Sequence, residues 1–436
     1  MKTVLYSIPF GYFARNLLRT GVTERLLGAP GVRLALVTPA HADPAFVGEF
    51  AVNGHVVFEP APAVRTDLTW PERVFWKTAV ETWKRRALWP AHAGLRRLHD
   101  RLYPRLYAQP YLPLLDRLRP DLVITASPGN IAPMDAPLIR DAQARGIPTL
   151  CLVFSWDNLA GAKGLLPTRP DHLAVWNCLQ WQEAIDLHFY RPEQVTVVGP
   201  TQFDLYQAPG TFDSREMFCR RLGLDPARKI VTVMVAGQRS SENTYIIDML
   251  LAARASGRLP ADTQLVCRPH PRVRPEKNRQ AYARYAHRAD VVLDVPDSYL
   301  DSVKWNPTRA EMRHLANTLK HSDVIVNIAS TVTIEAAICD TPVVNLGFST
   351  LDPEKFRRVI VERAWKYHYR YVRDSGSTIF AMDEEEAVAG VNRYLADPAL
   401  HRPERKRLAE QLCEWLDGRS SERTAALILG LLEGAR

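Results

Sequence analysis

The chain has 436 residues, too many for one compact core and suited to two domains of roughly 200 residues each. Its 46% hydrophobic and 24% charged residues are those of an ordinary globular protein, and no apolar run approaches the ~20 residues a membrane helix needs. The net charge of +8 is concentrated, since Trp70–Arg119 holds eleven Lys/Arg against four Asp/Glu, and with no recognisable nucleic-acid module around it a nucleic-acid partner is not expected.

Met1–Phe10 carries one lysine and a short apolar run broken by Pro9, unlike a secretory signal. The six cysteines, Cys151, Cys178, Cys219, Cys267, Cys339 and Cys413, form no C-x-x-C pair, and several lie inside apolar runs. They read as reduced core residues of a cytoplasmic protein, so neither disulfides nor cysteine-bound metal are expected.

Lys2–Ile8 is predicted as a strand, followed by a loop with Gly11, a helix over Ala14–Leu27 and a strand over Arg33–Thr38. This β-loop-α-β opening begins an open parallel sheet. It carries no G-x-G-x-x-G and no G-K-[ST], so neither a dinucleotide fingerprint nor a P-loop is present.

The basic stretch 70–119 interleaves Trp70, Trp76, Trp83 and Trp89 with lysines and arginines, and Trp76, Val80 and Trp83 share a helical face. Two readings stand side by side. It is an interfacial element that meets an anionic membrane surface, or a helical pair that packs its aromatic stripe on the sheet and shows arginines to water.

Strands follow at Asp121–Thr125, Thr149–Phe154, His172–Trp176 and Val195–Val198, with helices over Ala136–Arg145 and Gln180–His188. Ligands of open α/β sheets bind beyond the carboxyl ends of the strands. Asp157 and Asn158, in the S-W-D-N loop after Thr149–Phe154, are therefore candidates for the acceptor side, with Asp135 a second carboxylate. An Asx-turn or capping role for Asp157 is the alternative.

Gly199–Ser214 is rich in Pro, Gly and polar residues and reads as an inter-domain linker. The expected organisation is thus a domain over 1–205 with a helical insertion at 70–119, a second over 215–382, and C-terminal helices over 383–436. The second domain is predicted to hold strands Ile230–Ala236, Gln264–Cys267, Val291–Asp294, Asp323–Ile328 and Val343–Leu346.

Four loops follow these strands and so share one rim. The polar turn 237–243 contains Gly237 and Ser240. In Arg268-Pro269-His270-Pro271-Arg272 each proline restricts the residue before it. A histidine between two arginines is poorly suited to accept a proton and well suited to hydrogen-bond a phosphate. Ser330-Thr331 opens a helix, where backbone N–H groups and the dipole favour an anion, or simply caps it. Glu335 follows one turn on, placed to accept ribose hydroxyls. The fourth loop follows Leu346. His368, in the aromatic run 365–371, is a candidate for closing over the donor or for core packing. No D-x-D motif is present to hold a metal-bound diphosphate, so no metal is expected.

Arg268–Arg272, Ser330-Thr331 and Glu335 together resemble the C-terminal half of the GT-B glycosyltransferase superfamily. The H-P motif with a Ser/Thr pair at a helix start is similar to bacterial sialyltransferases and Kdo transferases, which use CMP-sugars. The same features with S-W-D-N resemble CDP-glycerol glycerophosphotransferases and surface-polysaccharide proteins. The I-E-A-A…T-P-V-V segment is similar to UDP-N-acetylglucosamine 2-epimerase, where the glutamate holds the ribose. Thr331 stands where the pattern has a second serine, and the D/E-D/E-G motif of one sialyltransferase group is not found.

The resemblance implies an α/β GT-B fold, two Rossmann-like parallel-sheet domains facing each other across a cleft. It implies a metal-independent enzyme without cofactor, cytoplasmic or peripheral at the inner face of the membrane. A nucleotide-activated donor, CMP- or CDP/UDP-linked, would be held by Arg268, His270, Ser330, Thr331, Glu335, Gly237 and Ser240, with His270 also a catalytic residue beside Asp157. A carbohydrate or lipid-linked acceptor would meet Asp157 as base, with Asn158, Asp135 and His368 in support. Transfer of glycerol phosphate and 2-epimerisation of a sugar nucleotide are the alternatives.

Overall fold

The computed structural model describes residues 1–436 except 53, 65–68, 107, 130, 161–164, 235–242, 366–368 and 435–436. The chain divides into two compact units. The first comprises Met1–Phe13, Gly21–Val198 and Glu422–Arg436, and the second Ala14–Thr20 and Gly199–Ser421.

The first unit is built on β1 (Lys2–Ser7), β2 (Val32–Thr38), β3 (Val56–Pro60), β4 (Leu122–Thr125), β5 (Thr149–Leu152), β6 (His172–Val175) and β7 (Val195–Val197). They form one parallel sheet in the order β3-β2-β1-β4-β5-β6-β7. A parallel sheet is covered on both faces, so its strands must be apolar throughout. Val4, Leu5 and Tyr6 of β1 and Leu122, Val123 and Ile124 of β4 accordingly have no exposed surface. Strand order reverses between β1 and β4, which makes the loops after them the natural ligand crevice of this unit.

One departure from the expected elements has a local cause. The helix expected over Ala14–Leu27 is two, Gly11–Leu18 and Gly21–Gly28. Between them Thr20 turns its hydroxyl back onto the carbonyls of Asn16 and Leu17, which competes with helix propagation. The stretch 70–119 folds into helices Trp70–Lys84, Trp89–Leu106 and Leu112–Leu118. Its aromatic stripe turns toward the protein. Trp83 donates from Nε1 to the Leu187 carbonyl at 2.6 Å, and the Arg96 guanidinium lies 5.2 Å from the Trp76 ring. The stripe thus meets neighbouring helices, with Trp76, Val80 and Trp83 half-buried.

The second unit contains β8 (Ile230–Met234), β9 (Gln264–Arg268), β10 (Val291–Leu293), β11 (Tyr299–Leu300), β12 (Lys304–Trp305), β13 (Val324–Asn327), β14 (Val343–Leu346) and β15 (Ile379–Ala381). Its parallel sheet runs β10-β9-β8-β13-β14-β15, and β11 and β12 form a separate antiparallel hairpin. The reversal of order falls between β8 and β13. The 199–214 stretch is not a bare connection, because Thr201–Gln207 forms a 3-10 helix that buries Phe203 and Tyr206. The C-terminal residues form helices Glu384–Ala396, Arg402–Cys413 and Ser420–Gly434.

Candidate functional site

In the second unit the switch point is framed by strands that end level with one another. Met234 of β8 is in register with Arg268 of β9 on one side and Asn327 of β13 on the other. Strands lie about 4.8 Å apart, so the loops after β9 and β13 begin roughly 10 Å from each other at one height. The loop after β8 that separates them, with Gly237 and Ser240, lies outside the described residues, as does His368.

The β9 loop is stiffened by Pro269 and Pro271 and pinned from below by Asn278. Its amide donates to the His270 carbonyl at 3.2 Å, and Asn278 has no exposed surface. The His270 ring is half-buried. Its Nδ1 accepts the Arg272 backbone N–H at 3.2 Å, which leaves Nε2 as the protonated nitrogen of the neutral ring. Burial, then the Arg272 charge, push its pKa down to about 4. His270 is therefore a neutral donor at physiological pH, aided by a fixed tautomer.

Arg268 is placed differently from its neighbour. Its guanidinium is 7% exposed and pairs with Asp294 and Glu311, and His314 Nε2 lies 2.9 Å from the other oxygen of Asp294. Burial alone would raise the Asp294 carboxyl, but Arg268 and His314 hold it at about 2. Both acids are thus committed to Arg268, and the arginine fixes the end of β9 from which His270 projects.

The β13 loop turns sharply. Ala329 takes φ +34°, left-handed space that costs a non-glycine residue energy. The turn is held from beneath by a buried polar chain. Asn327 donates to the Thr333 hydroxyl at 3.0 Å, Thr333 and Tyr369 share a hydrogen bond, and Tyr369 donates to Asn345 Oδ1 at 3.0 Å. Ser330 and Thr331 are half-buried above it, and Ser330 Oγ accepts the Val332 N–H at 3.3 Å. The helix they open, Val332–Ile338, is only two turns long, so the hydroxyls matter more here than a macrodipole.

Glu335 lies on that helix, 8% exposed. Tyr206 donates to its Oε1 at 2.8 Å. Burial raises its pKa, while the Arg15 charge and the Tyr206 bond oppose that rise. Arg15 also sits 5.5 Å from the Trp305 ring at the end of the β11–β12 hairpin. Arg15, Tyr206 and Trp305 were not read from the sequence as site residues. Tyr206 sits in a stretch that reads as linker, and Arg15 lies 320 positions before Glu335, so no local pattern joins them.

In the first unit the two candidate carboxylates differ. Asp157 is half-buried and its Oδ1 accepts from the Ser155 hydroxyl at 2.8 Å. Asn158 is buried, and its Oδ1 accepts the Ser155 N–H at 3.1 Å. Both therefore shape the turn after β5. Asp135 has no exposed surface and starts the helix Asp135–Ala144 beside the switch point. The Ser7 hydroxyl, at the end of β1, donates to its Oδ1 at 2.7 Å, while its Oδ2 has no hydrogen-bond partner among the described residues. Burial raises its pKa to about 8, against the lowering effect of Ser7 and Ser127. The neighbouring loop needs its glycine. Gly129 takes φ +93°, and a Cβ there would come within 2.7 Å of the Ala136 Cβ.

No family model and no curated protein matches the chain. Solved structures do. The chain is similar to a UDP-GlcNAc 2-epimerase from Neisseria meningitidis bound to UDP-GlcNAc, with 10% identity, a TM-score of 0.57 and coverage of 98% of this chain and 100% of that one. It is similar to S. aureus MnaA in complex with UDP, with 14% identity, a TM-score of 0.57 and coverage of 99% and 98%. A glycosyltransferase from Rickettsia africae ESF-5 gives 9% identity, a TM-score of 0.53 and coverage of 100% and 98%. The chain has the GT-B fold. Its seven-stranded and six-stranded parallel sheets are the two Rossmann-like domains of that fold, and likeness at these identities speaks to the fold alone.

Proposed function

We propose that this GT-B protein is a glycosyltransferase. It takes a sugar from a nucleotide-activated donor, CMP- or CDP/UDP-linked, to a carbohydrate or lipid-linked acceptor of the cell envelope. The observation that carries the reading is the pair of level loops after β9 and β13, on either side of the β8 end in the second unit. One presents the neutral Nε2–H of His270 and the other the Ser330 and Thr331 hydroxyls, with Glu335 and Arg15 close behind. Neutral donors and hydroxyls suit a departing nucleotide phosphate, whose growing charge they stabilise. Glu335, with one oxygen bound by Tyr206, is assigned to the ribose. Arg268 acts in this scheme through the loop it anchors.

Proton removal from the acceptor falls to Asp157, the more exposed of the two carboxylates. Asp157→Asn keeps the size and the Ser155 contact but removes the basic oxygen. Transfer is expected to fall roughly 10²–10⁴-fold, with donor affinity within a few-fold of wild type. Full transfer by a folded Asp157→Asn protein refutes the base assignment.

A sugar-nucleotide 2-epimerase is the second reading, favoured by the likeness of the I-E-A-A segment and by solved structures that bear that name. Incubation with donor alone separates the two, because an epimerase needs no acceptor to form product.

A further inference from the structure

The helical pair Trp70–Lys84 and Trp89–Leu106 holds its aromatic stripe half-buried and leaves a different surface outside. Over residues 70–103 seven basic side chains are exposed, against the exposed Asp100 and the half-exposed Glu81. Large apolar side chains stand among them. Trp70 is 76% exposed, Leu98 54% and Val74 47%. Trp70, Val74 and Lys77 follow at i, i+4 and i+7 and so share one helix face, and on the second helix Arg101 lies one turn from both Arg97 and Leu98, all three exposed. The indoles that look inward, Trp83 and Trp89, are spent on the Leu187 and Trp83 carbonyls.

Cations alone would suit any polyanion. An exposed tryptophan and exposed aliphatic side chains set among cations suit an interface where charged headgroups overlie hydrocarbon. Among the described residues no helix is long and apolar enough to cross a membrane, so such contact would lie in the surface plane. We infer that the outer face of this helical pair docks on an anionic lipid bilayer, through Trp70, Val74 and Leu98 in the interface and Lys77, Arg97 and Arg101 on the headgroups. The inference stands independently of the transfer reading and its test requires no catalysis.

The full-length protein is mixed with vesicles of phosphatidylcholine alone or with added phosphatidylglycerol, and binding is read by co-flotation. Binding is expected on the anionic vesicles only, and to weaken with salt. Each basic residue near such a surface contributes about fivefold. The triple variant Lys77→Gln, Arg97→Gln, Arg101→Gln should therefore lose on the order of a hundredfold in partitioning. The charge-matched control Arg402→Gln, Lys406→Gln, Arg407→Gln, on the helix Arg402–Cys413, should lose far less. Trp70→Ser should weaken vesicle binding while leaving retention on heparin, a soluble polyanion, unchanged. Equal binding to both vesicle types, binding to neither, or equal loss in the two triple variants overturns the inference. So does a Trp70→Ser protein that floats like wild type, which would assign the face to polyanions. Circular dichroism checks that each variant folds.

Discussion

Asp135→Asn isolates the energetic consequence of burying an acid at the β1–β4 switch point. The wild-type carboxyl has no exposed surface and a pKa raised to about 8, against about 3.9 in the unfolded chain. Between those values the folded state binds a proton that the unfolded state has lost. Stability from this group is thus fully present below about pH 4 and is lost as pH rises toward 8. The slope is about 1.4 kcal/mol per pH unit, or about 3 kcal/mol between pH 5 and 7.5. Asparagine keeps the shape and still accepts from Ser7, but it has no proton to lose. The stability difference, wild type minus variant, should fall by that amount over the window and flatten above pH 8. Other groups cancel in the difference, including His188, which burial pushes down to about 4 and which acts in the opposite sense. Urea unfolding read by hydrogen exchange in β1 and β4 peptides localises the effect to the first unit. Curves for the two proteins that stay parallel from pH 5 to 7.5 would refute the buried neutral acid.

Two further outcomes follow from the second unit. Arg268→Met leaves Asp294 and Glu311 without their cation and should cost about 3–5 kcal/mol of stability, measured by denaturant unfolding; a loss below 1 kcal/mol would contradict the ion network. The His270 imidazole, held low by burial and Arg272, should show no titration between pH 6 and 8 in its NMR resonances, whereas a midpoint near 6.5 would contradict the fixed neutral tautomer.

The sheet strands were largely legible because buried parallel strands write continuous β-branched runs. Val343–Leu346 is read to the residue. What escaped was short or unpatterned. β11 and β12 have two residues each and β15 three, below the length at which alternation can be recognised. β3 ends in a proline, which argues against a strand but is tolerated at this sheet edge.

The candidate site divides along the same line. The R-P-H-P-R loop announced a rigid His270 through its prolines alone. The fate of Arg268 was not readable, because its acids lie 26 and 43 positions away and only the tertiary fold brings them in. The aromatic stripe at 76, 80 and 83 was visible as a face, but periodicity does not say whether a face meets protein or lipid. The structure turns that stripe inward and leaves Trp70 out.

The most direct test of the donor-site reading is calorimetric binding of CMP, CDP, UDP, GDP and ADP to the wild-type protein and to His270→Ala and Ser330→Ala. One lost hydrogen bond to a charged phosphate costs about 1.5–3 kcal/mol, or roughly 10- to 150-fold in affinity. A cytidine or uridine nucleotide should bind the wild type, and each variant should weaken it by that factor while keeping its circular dichroism spectrum. Unchanged affinity in both folded variants would contradict the assignment of the loops after β9 and β13 to the nucleotide.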